Sequence, residues 1–435
     1  MQQTGGASGS QDAGEYGKTE QTARAETAKK GVSFIKNIYR SDVKVGRFLC
    51  VLILSGISFG LYKGVQDNYL AELVHINAFE RGIVEFFREL PGLLVMLVLA
   101  LMYRLTQSRI FKISTAIMAA GLFGLLLAGT GKFVVILFMV VYSAGEHITM
   151  PVRSTLSLEL AKSTQGGASL GITSALGQLG NIAGFVIVTG LFFVFSRFGF
   201  SRTNITQFKI VFAAGAALMT GAMLVSLAIQ ETAIIGKRRR FYFAKKFFKY
   251  YMLEVFYGSR KQIFITFAPY VLILKYRADT SVIALLLAVC AVFGAIFSPL
   301  IGKLIDRVGY KFVMVTDTLI LMVVCFFYGF AHHLFPLHIA YMVICVNFVL
   351  DSVISLASMA SNVYVQDIAA NKEELTATLS TGISVNHAIS ILIALLGGFL
   401  WAAVGIEVLF ALSAFLGLLN TLYAATIKTK RNRGF

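Results

Sequence analysis

The feature that most constrains this chain is a long succession of apolar segments. Each segment has about 20 residues or more, the length that crosses a lipid bilayer as a helix. The segments follow one another from residue 43 to residue 427, and short polar breaks such as 106–109 and 129–132 separate them. Since the bilayer core offers no water to backbone N–H and C=O groups, such segments fold as α-helices. We therefore predict an all-α, polytopic membrane protein.

The apolar segments fall into two groups of six, which makes about twelve transmembrane helices. A basic stretch at 237–249 separates the two groups. The predicted spans are 46–70, 80–103, 110–130, 133–160, 169–195 and 208–232 in the first group, and 250–275, 281–302, 312–331, 337–364, 375–401 and 405–427 in the second.

Composition supports a membrane protein and excludes several other classes. Hydrophobic residues make up 57% of the 435 residues and charged residues 14%, whereas soluble proteins carry about 25% charged residues. These values exclude a secreted disulfide scaffold, a disordered chain and a soluble enzyme with a small anchor. The four cysteines lie in apolar segments without a CxxC pair, so we predict neither disulfides nor thiolate ligands. The sequence has no Walker A string and gives no support to ATP hydrolysis.

The distribution of Lys and Arg predicts the orientation in the membrane. The net charge is +17, and basic residues concentrate in the N-terminal segment, the central stretch and alternate loops. The opposite loops hold few, among which we count Arg81 and Lys132. By the positive-inside rule, we expect both termini to be cytoplasmic. We also expect the protein to lie in the plasma (inner) membrane. The excess charge thus indicates topology and contact with membrane lipids rather than binding of nucleic acid.

The same features predict five regions. The N-terminus is polar and rich in Gly, Gln, Thr and Ala, a composition typical of disorder and without the apolar core of a signal peptide. The regions are a disordered cytoplasmic tail at 1–42, an N-terminal six-helix bundle at 43–232, a basic cytoplasmic linker at 233–249, a C-terminal six-helix bundle at 250–427 and a basic cytoplasmic tail at 428–435.

One loop carries a motif. Between the eighth and ninth spans the chain reads Gly302-Lys-Leu-Ile-Asp306-Arg307-Val-Gly309-Tyr-Lys. Together with the twelve spans and the basic central loop, this motif resembles the major facilitator superfamily over 43–427. The resemblance implies two pseudo-symmetric six-helix bundles around a central cavity, and secondary active transport by rocker-switch alternating access. It also implies that Gly302, Asp306, Arg307 and Gly309 form a conformational gate, because charges at a helix end can lock one state through ion pairs and helix dipoles.

The first half holds only a degenerate counterpart of this motif. Residues 102–109 keep two arginines and lack the Asp and Gly, so we expect the cytoplasmic lock to depend more on the second half. Arg153, towards the cytoplasmic end of the fourth span, is assigned to the gate as well. Four further strings are similar to those of a poorly characterised prokaryotic branch of the superfamily. They are RELPG at 88–92, GEHITMP at 145–151, RKQIF at 260–264 and SVNH at 384–387.

Charged residues inside the spans indicate a polar cavity, because an ionisable group at mid-bilayer costs several kcal/mol unless it is paired or hydrated. Lys249 to Arg260 is about 16 Å of helix, so Arg260 and Lys261 lie near the middle of the seventh span. Lys63 lies at a similar depth in the first span, which is equivalent in the repeat. Opposed cations require an anion, which is either a group of the substrate or a protein carboxylate.

These positions lead to a substrate hypothesis. We predict a small organic anion as the solute, because Arg can bind a carboxylate or phosphate in bidentate fashion. If protein carboxylates neutralise the cations instead, the cavity is zwitterionic and suits sugars, amino acids or lipophilic compounds. The predicted substrate-binding residues are Tyr62, Lys63, Asp67, Arg88, Arg260, Lys261 and Gln262.

Carboxylates and histidines in other spans point to a coupling ion. Histidine titrates near neutral pH, and buried carboxylates can be shifted towards the same range. Proton coupling is therefore the leading hypothesis, with Glu146 and Asp351 as the first candidates for the carrier. The predicted ion-coupling residues are Glu89, Glu146, His147, Asp351 and His387.

Other functions stay open at this point. A transporter-like receptor, a lipid flippase and an exporter of lipophilic or zwitterionic compounds all fit the same fold, while a membrane enzyme fits the sequence least well. We place His332 and His333 in an outer loop with His338 nearby, and we expect no carboxylate or thiol to join them. We therefore predict neither a metal site nor a cofactor, and we expect the protein to work as a monomer.

Overall fold

The computed structural model describes residues 37–39, 43–102, 104–162, 164–230 and 242–427, and these are almost entirely helical. Most of the predicted tail 1–42, much of the basic linker and the basic C-terminal tail lie outside the described residues. Within the described residues there are twelve long helices, two of which contain a short irregular turn. Tyr69–Leu73 forms a π-helical turn that ends the first helix, and Ser355–Ser358 forms a 3₁₀ turn within the tenth.

The helices follow the predicted spans closely. They are α1 (Val43–Leu73), α2 (Ala78–Leu101), α3 (Gln107–Ala128), α4 (Lys132–Leu160), α5 (Gly166–Arg197), α6 (Ile205–Leu227), α7 (Phe248–Leu274), α8 (Thr280–Val308), α9 (Tyr310–Leu334), α10 (Leu337–Ile368), α11 (Lys372–Val404) and α12 (Ile406–Ala425).

Two of these helices differ from the others in polarity. Ten helices of the described chain are long and apolar enough to cross a membrane, whereas α2 and α7 are not among them. Both are as long as their neighbours, at 24 and 27 residues. They fall short because they carry clusters of charged residues in their interior, which are the groups that need a polar environment inside a membrane protein.

Short polar caps and glycines separate the helices. Asn77 forms a capping box with Glu80 at the start of α2, and Thr106 caps α3 through the backbone N–H of Arg109. These caps satisfy N–H groups that have no partner within the helix. Gly309, between α8 and α9, has a φ of 86°, a left-handed conformation that glycine adopts without steric cost. The loops can therefore be short, and successive helices run antiparallel.

The twelve helices pack as two bundles of six. In the first bundle α1 packs against α5 and α6, and α3 packs against α4 and α6; in the second, α7 packs against α11 and α12, and α9 packs against α10 and α12. Close contact between α1 and α5 depends on small residues, as in many membrane helix pairs. A Cβ atom on Gly56 would lie 2.7 Å from the carbonyl oxygen of Gly177, and one on Gly184 would lie 2.5 Å from that of Ile57.

The bundles meet along α2 with α11 and along α5 with α8. We call inner the end where α1 begins, predicted to be cytoplasmic, and outer the opposite end. At the outer end the Asn68 amide donates to the Ala278 carbonyl oxygen at 3.0 Å. Arg202 pairs there with Asp279 of the other bundle. A Cβ on Gly398 would lie 2.9 Å from the carbonyl oxygen of Phe79. The outer halves are therefore closed against each other.

Candidate functional site

The charged residues singled out in five helices lie at the same depth. Each is within about two residues of the midpoint of its helix, which places all of them near mid-membrane for helices of this length. They are Glu89 in α2, Glu146 and His147 in α4, Arg260 and Lys261 in α7, Asp351 in α10 and His387 in α11.

A chain of ion pairs begins in the outer half of the first bundle. Lys63 Nζ lies 3.5 Å from Asp67 Oδ2 on the next turn of α1. The other oxygen of Asp67 accepts from Arg81 Nη2 at 3.0 Å, and Arg81 Nη1 donates to Glu85 Oε2 at 2.7 Å. The side chains of Arg81 and Glu85 are completely buried. Each buried charge in this segment is thus matched by an opposite charge, as burial requires.

The series of ion pairs continues along α2 and reaches the second bundle. Glu85 also accepts two bonds from Arg88, from Nη2 at 2.5 Å and from Nε at 3.0 Å. Arg88 contacts Glu89, and Glu89 Oε2 lies 2.8 Å from His387 Nδ1 on α11. A second link crosses the interface where Gln262 Nε2 donates to Glu85 Oε1 at 3.2 Å. We name the residues Lys63, Asp67, Arg81, Glu85, Arg88 and Glu89 the α1–α2 network.

Arg81 is the central residue of this network, and sequence reasoning missed it. We counted it with the outer loops, whereas it lies inside α2 with a fully buried side chain. Its guanidinium also lies 5.4 Å from the ring centroid of Tyr270 in α7, a cation–π contact between the bundles. The available signal was its i,i+4 spacing to Glu85, which places the two side chains on one helix face.

Charge in the α1–α2 network balances. Three cations, Lys63, Arg81 and Arg88, face three carboxylates, Asp67, Glu85 and Glu89. The two substrate-binding candidates Lys63 and Arg88 therefore have carboxylate partners from their own bundle. An incoming anion would have to displace one of these carboxylates.

Arg260 in α7 has a different environment. It is 2% exposed, and its Nη1 lies 3.3 Å from Asp317 Oδ2 in α9. Neither Nη1 nor Nη2 has a hydrogen-bond partner in the described chain, so the ion pair is a matter of distance alone. The guanidinium carbon lies 5.4 Å from the ring centroid of Tyr257, one turn away on the same helix. Arg260 is a buried cation with several hydrogen-bond donors unused.

Two mid-depth carboxylates have no partner at all among the described residues. Glu146 and Asp351 are half-buried, and neither forms an ion pair or a side-chain hydrogen bond there. Glu146 lies within electrostatic range of Arg88 and Lys63, and Asp351 lies within range of Arg260. The two carboxylates occupy α4 and α10, which are equivalent helices of the two bundles.

Buried polar groups without hydrogen bonds accompany both carboxylates. Next to Glu146, the hydroxyls of Tyr62 and Tyr142 have no hydrogen-bond partner in the described chain, and the two rings pack with their centroids 4.6 Å apart. Near Asp351, the hydroxyl of Tyr328 and the amide nitrogen of Asn347 have none among the described residues either. A buried donor without a partner is costly, so both carboxylates lie in surroundings with unused hydrogen-bonding groups.

Lys261 lies two turns away from Glu254 on the same face of α7. It is half-buried, and its charge acts on Glu254. The carboxylate of Glu254 accepts from Ser361 at 3.1 Å and from Asn386 at 3.3 Å. Successive helix positions point about 100° apart, which explains why Arg260 and Lys261 belong to separate groups.

The predicted gate residues lie at the inner ends of α4 and α8. Asp306 and Arg307 are exposed, Gly302 is half-buried, and Gly309 is the left-handed residue that begins α9. Arg153 is half-buried and lies within electrostatic range of Glu146, and its Nε has no hydrogen-bond partner among the residues that the structure describes. The charged residues of the motif are therefore exposed at the inner end of the protein, whereas the two bundles contact each other at the outer end.

The histidines of the outer end do not lie as predicted. His332 and His333 belong to the last turn of α9 rather than to a loop. A carboxylate does join them, because Glu407 Oε1 lies 3.0 Å from His332 Nε2 and 3.2 Å from His333 Nε2. The statement that no carboxylate stands beside them is wrong, since Glu407 is distant in sequence but begins the neighbouring helix α12.

The described chain thus has two six-helix bundles, with ionisable groups at mid-depth in both of them. Residues 250–434 match the family model described as Major Facilitator Superfamily. A search of curated proteins found no match. The second half of the chain is therefore similar to that superfamily, and the described chain shares the fold of solved transporters.

Solved transporter structures show the same fold at low sequence identity. A variant of the nucleoside transporter NupG superposes with a TM-score of 0.71 at 15% identity, over 89% of this chain and 100% of that one. The D-xylose–proton symporter gives 0.69 at 12% identity, over 89% and 98%. A bacterial homologue of the human lysosomal transporter Spinster, inward-facing and unoccupied, gives 0.68 at 13%, over 88% and 95%.

Proposed function

We propose that the protein is a proton-coupled secondary active transporter of a small organic solute that carries an anionic group. Transport proceeds by alternating access between the two bundles. We place the protein in the plasma membrane with both termini cytoplasmic, as the charge bias predicts. Because one chain contains both bundles, a monomer surrounded by membrane lipids is sufficient for the cycle.

Arg260 is the residue that supports an anionic group in the solute. Its terminal nitrogens are buried and form no hydrogen bonds in the described chain. A carboxylate or phosphate supplies the planar acceptor pair that a guanidinium binds best. Asp317, at 3.3 Å, is the carboxylate with which the solute competes. Tyr328 and Asn347 supply further polar groups for the rest of the solute.

Glu146 and Asp351 carry the coupling part. The cations Lys63, Arg81 and Arg88 are already matched by carboxylates, so an ionised Glu146 has only the longer-range charge of Arg153 left to balance it in the first bundle. In the second bundle, Arg260 and Lys261 face Glu254, Asp317 and Asp351, which is one carboxylate more than the cations. A proton on each carboxylate without a direct partner removes a buried negative charge.

Proton and solute are then coupled by electrostatics. An anion bound at Arg260 lies in the field that also acts on Asp351. Two negative charges at mid-membrane repel strongly in a low-dielectric surrounding, so the anion binds best when Asp351 is protonated. Binding of the two is therefore cooperative, which is the condition for moving both in one step.

A screen for ligands tests the substrate class. Purified protein is heated with a library of organic acids, phosphorylated metabolites, amino acids and sugars, and a true ligand raises the melting temperature by mass action. We expect anionic compounds to stabilise the wild type and to lose the effect in Arg260→Ala. If the same compounds stabilise both proteins equally, the assignment of Arg260 is wrong.

Transport assays in liposomes test the coupling. With a ligand from the screen, Glu146→Gln should abolish accumulation driven by a pH gradient while exchange of labelled against unlabelled solute continues. A neutral amide mimics the protonated carboxylate and cannot release a proton. Uphill uptake that survives in this variant would remove Glu146 from the mechanism, and Asp351→Asn provides the same measurement for the second bundle.

A zwitterionic solute is the second candidate, and the position of Glu146 favours it. An ionised Glu146 lies in the bundle opposite Arg260, so the two groups offer a negative and a positive pole to one solute. In the ligand screen this alternative predicts stabilisation by amino acids or related zwitterions, sensitive to both Arg260→Ala and Glu146→Gln.

A further inference from the structure

Glu89 of α2, His147 of α4 and His387 of α11 form a cluster where the two bundles meet. Their ligand-type atoms all lie within 4.8 Å of one another. Glu89 Oε2 is 2.8 Å from His387 Nδ1 and 4.0 Å from His147 Nε2. We propose that this trio is a binding site for a divalent first-row transition-metal ion such as Zn²⁺ or Co²⁺. The proposal does not depend on which solute is transported.

The orientation of His147 leaves a place for a cation. Its Nδ1 lies 2.9 Å from the backbone carbonyl oxygen of Ser143, an acceptor, so Nδ1 carries the ring proton. In the neutral ring the lone pair of Nε2 then faces Glu89 Oε2, which is a second acceptor. Both side chains are buried, with His147 5% and Glu89 7% exposed. A metal ion between the two acceptors satisfies both, and a carbonyl behind Nδ1 is the usual support of a metal-bound histidine.

The other contacts of Glu89 leave one oxygen for a metal. Arg88 contacts Glu89 Oε1 and is itself held by two bonds to Glu85. Oε2 therefore points to the histidines, and the positive charge of Arg88 is shared with Glu85. The resulting donor set, one carboxylate oxygen and two imidazole nitrogens, is one that zinc and its neighbours in the periodic table bind.

The spacing of the trio fits coordination after small shifts. Ligands about 2.1 Å from a tetrahedral metal lie about 3.4 Å from one another. The observed separations of 2.8 Å and 4.0 Å bracket that value. Shifts of the side-chain atoms by less than about 1 Å would bring both separations to that value. Water would then complete the coordination sphere.

Gly92 provides the room for the cluster. A Cβ atom at this position would lie 2.6 Å from His147 Nε2 and 2.9 Å from His387 Nδ1, against the coordinating nitrogens themselves. Three of the four strings noted in the sequence, at 88–92, 145–151 and 384–387, contribute a side chain or this glycine to the same place. The metal site explains why they converge.

A bound ion would have a mechanical consequence. Glu89 and His147 belong to the first bundle and His387 to the second. Alternating access requires the bundles to rotate against each other, so an ion that bridges them restrains the cycle. We therefore expect micromolar Zn²⁺ to slow exchange of any transported solute.

Metal binding to the purified full-length protein tests the proposal directly. The outer cluster of His332, His333 and Glu407 is also able to bind metal, so the measurements use the His332→Ala/His333→Ala double variant as background. After treatment with a chelator, the protein is titrated with Co²⁺, whose visible absorption reports nitrogen and oxygen ligation, and Zn²⁺ is then added to displace it. We expect one equivalent of Co²⁺ per chain in this background.

Single changes in the same background locate that equivalent. His387→Ala and Gly92→Ala should each weaken binding at least tenfold, the first by removing a ligand and the second by filling the space between ligands. His338→Ala, an exposed histidine outside the cluster, is the matched control and should bind as the background does. Size-exclusion chromatography shows which variants are folded, and Glu89→Gln replaces any that are not.

Two outcomes overturn the proposal. If the double variant binds no Co²⁺, the trio does not hold a metal and the two facing acceptors share a proton instead. If Co²⁺ binding is present but is the same in folded His387→Ala, Gly92→Ala and Glu89→Gln proteins, the ion is bound elsewhere.

Discussion

Arg81 and Arg260 are both arginines buried inside membrane helices beside a tyrosine ring, and they differ in their contacts with carboxylates. Arg81, in the first bundle, bonds to Asp67 at 3.0 Å and to Glu85 at 2.7 Å. Arg260, in the second, has a single carboxylate at 3.3 Å, and neither of its terminal nitrogens has a hydrogen bond within the described chain. Both terminal nitrogens of Arg81 are thus bonded, although its Nε has no partner in the described chain, whereas both terminal nitrogens of Arg260 are without one there.

The difference separates a structural task from a functional one. A buried cation that is held by two carboxylates is costly to unpair, so it is not readily available to a ligand. A buried cation with unused donors is costly unless a ligand accepts hydrogen bonds from those donors while the protein works. We infer that the α1–α2 network holds the first bundle and its outer contacts together, while the solute meets the second bundle at Arg260.

Removing Arg81 should give the largest effect. Arg81→Met leaves Asp67 and Glu85 buried without their main partner, a change that costs about 3–5 kcal/mol. We expect a severe loss of folded protein, measured as yield and melting temperature in detergent. Arg260→Met is the matched control at the other buried arginine, and it should cost much less stability while it removes ligand-induced stabilisation. Equal losses in the two variants would erase the distinction between them.

Neutralising Glu85 should give the next largest effect. Glu85→Gln keeps the shape of the side chain and removes the charge that Arg81 and Arg88 share, and hydrogen bonds to charged groups contribute about 1.5–3 kcal/mol each. The melting temperature should fall clearly below that of the wild type but stay above that of Arg81→Met. Asp317→Asn, at the partner of Arg260, is the corresponding change in the second bundle, and a larger loss there would contradict the comparison.

The bond between the bundles from Gln262 should have a smaller effect. Gln262→Ala removes a donor to Glu85 across the interface, and a hydrogen bond of this kind contributes about 0.5–1.5 kcal/mol. The bond helps to hold the outer halves together. Cysteines introduced at the outer ends of the helices should therefore react faster with a membrane-impermeant thiol reagent in this variant than in the unchanged protein. Thr266→Val removes the other bond of Gln262 and is the control, which should leave this accessibility unchanged.

The exposed pair of Lys132 and Glu80 should have the smallest effect. Lys132 Nζ lies 2.6 Å from Glu80 Oε1, but the Lys132 side chain is 45% exposed and that of Glu80 is 29% exposed. Water and salt therefore screen the interaction, which contributes less than about 1 kcal/mol to stability. Lys132→Ala should shift the melting temperature only slightly, and the shift should disappear in high salt. A large, salt-independent loss would show that depth in the membrane is not what separates strong from weak pairs here.

Much of the architecture follows from patterns that are local in the sequence. The twelve helices begin and end within six residues of the predicted spans, because the length of an apolar run and the polar break after it are both read directly from neighbouring residues. The resemblance to the superfamily rests on the 302–311 motif, the twelve spans and the basic central stretch, and the family match over 250–434 and the shared fold agree with it. The depth of Glu146, Arg260 and Asp351 follows in the same way from counting residues along a helix.

The partners of these groups could not be predicted in this way. Lys63 and Arg260 were expected to face each other, yet the first is matched by Asp67 of the same helix and the second by Asp317 of α9. The orientation of a side chain around its helix axis depends on which neighbour packs there. The joining of Glu407 to the outer histidines depends on the same long-range packing.

Hydropathy and charge along the chain were enough to establish that this protein crosses the membrane many times, with ionisable groups at the middle of several helices, because each of those properties depends on the composition of one short window. Which of these groups neutralise one another, and which remain unpaired, was decided only when α1, α2, α4, α7, α9, α10 and α11 came together. Ion pairing depends on separations of a few ångströms between residues far apart in the chain, and helix packing alone sets those separations.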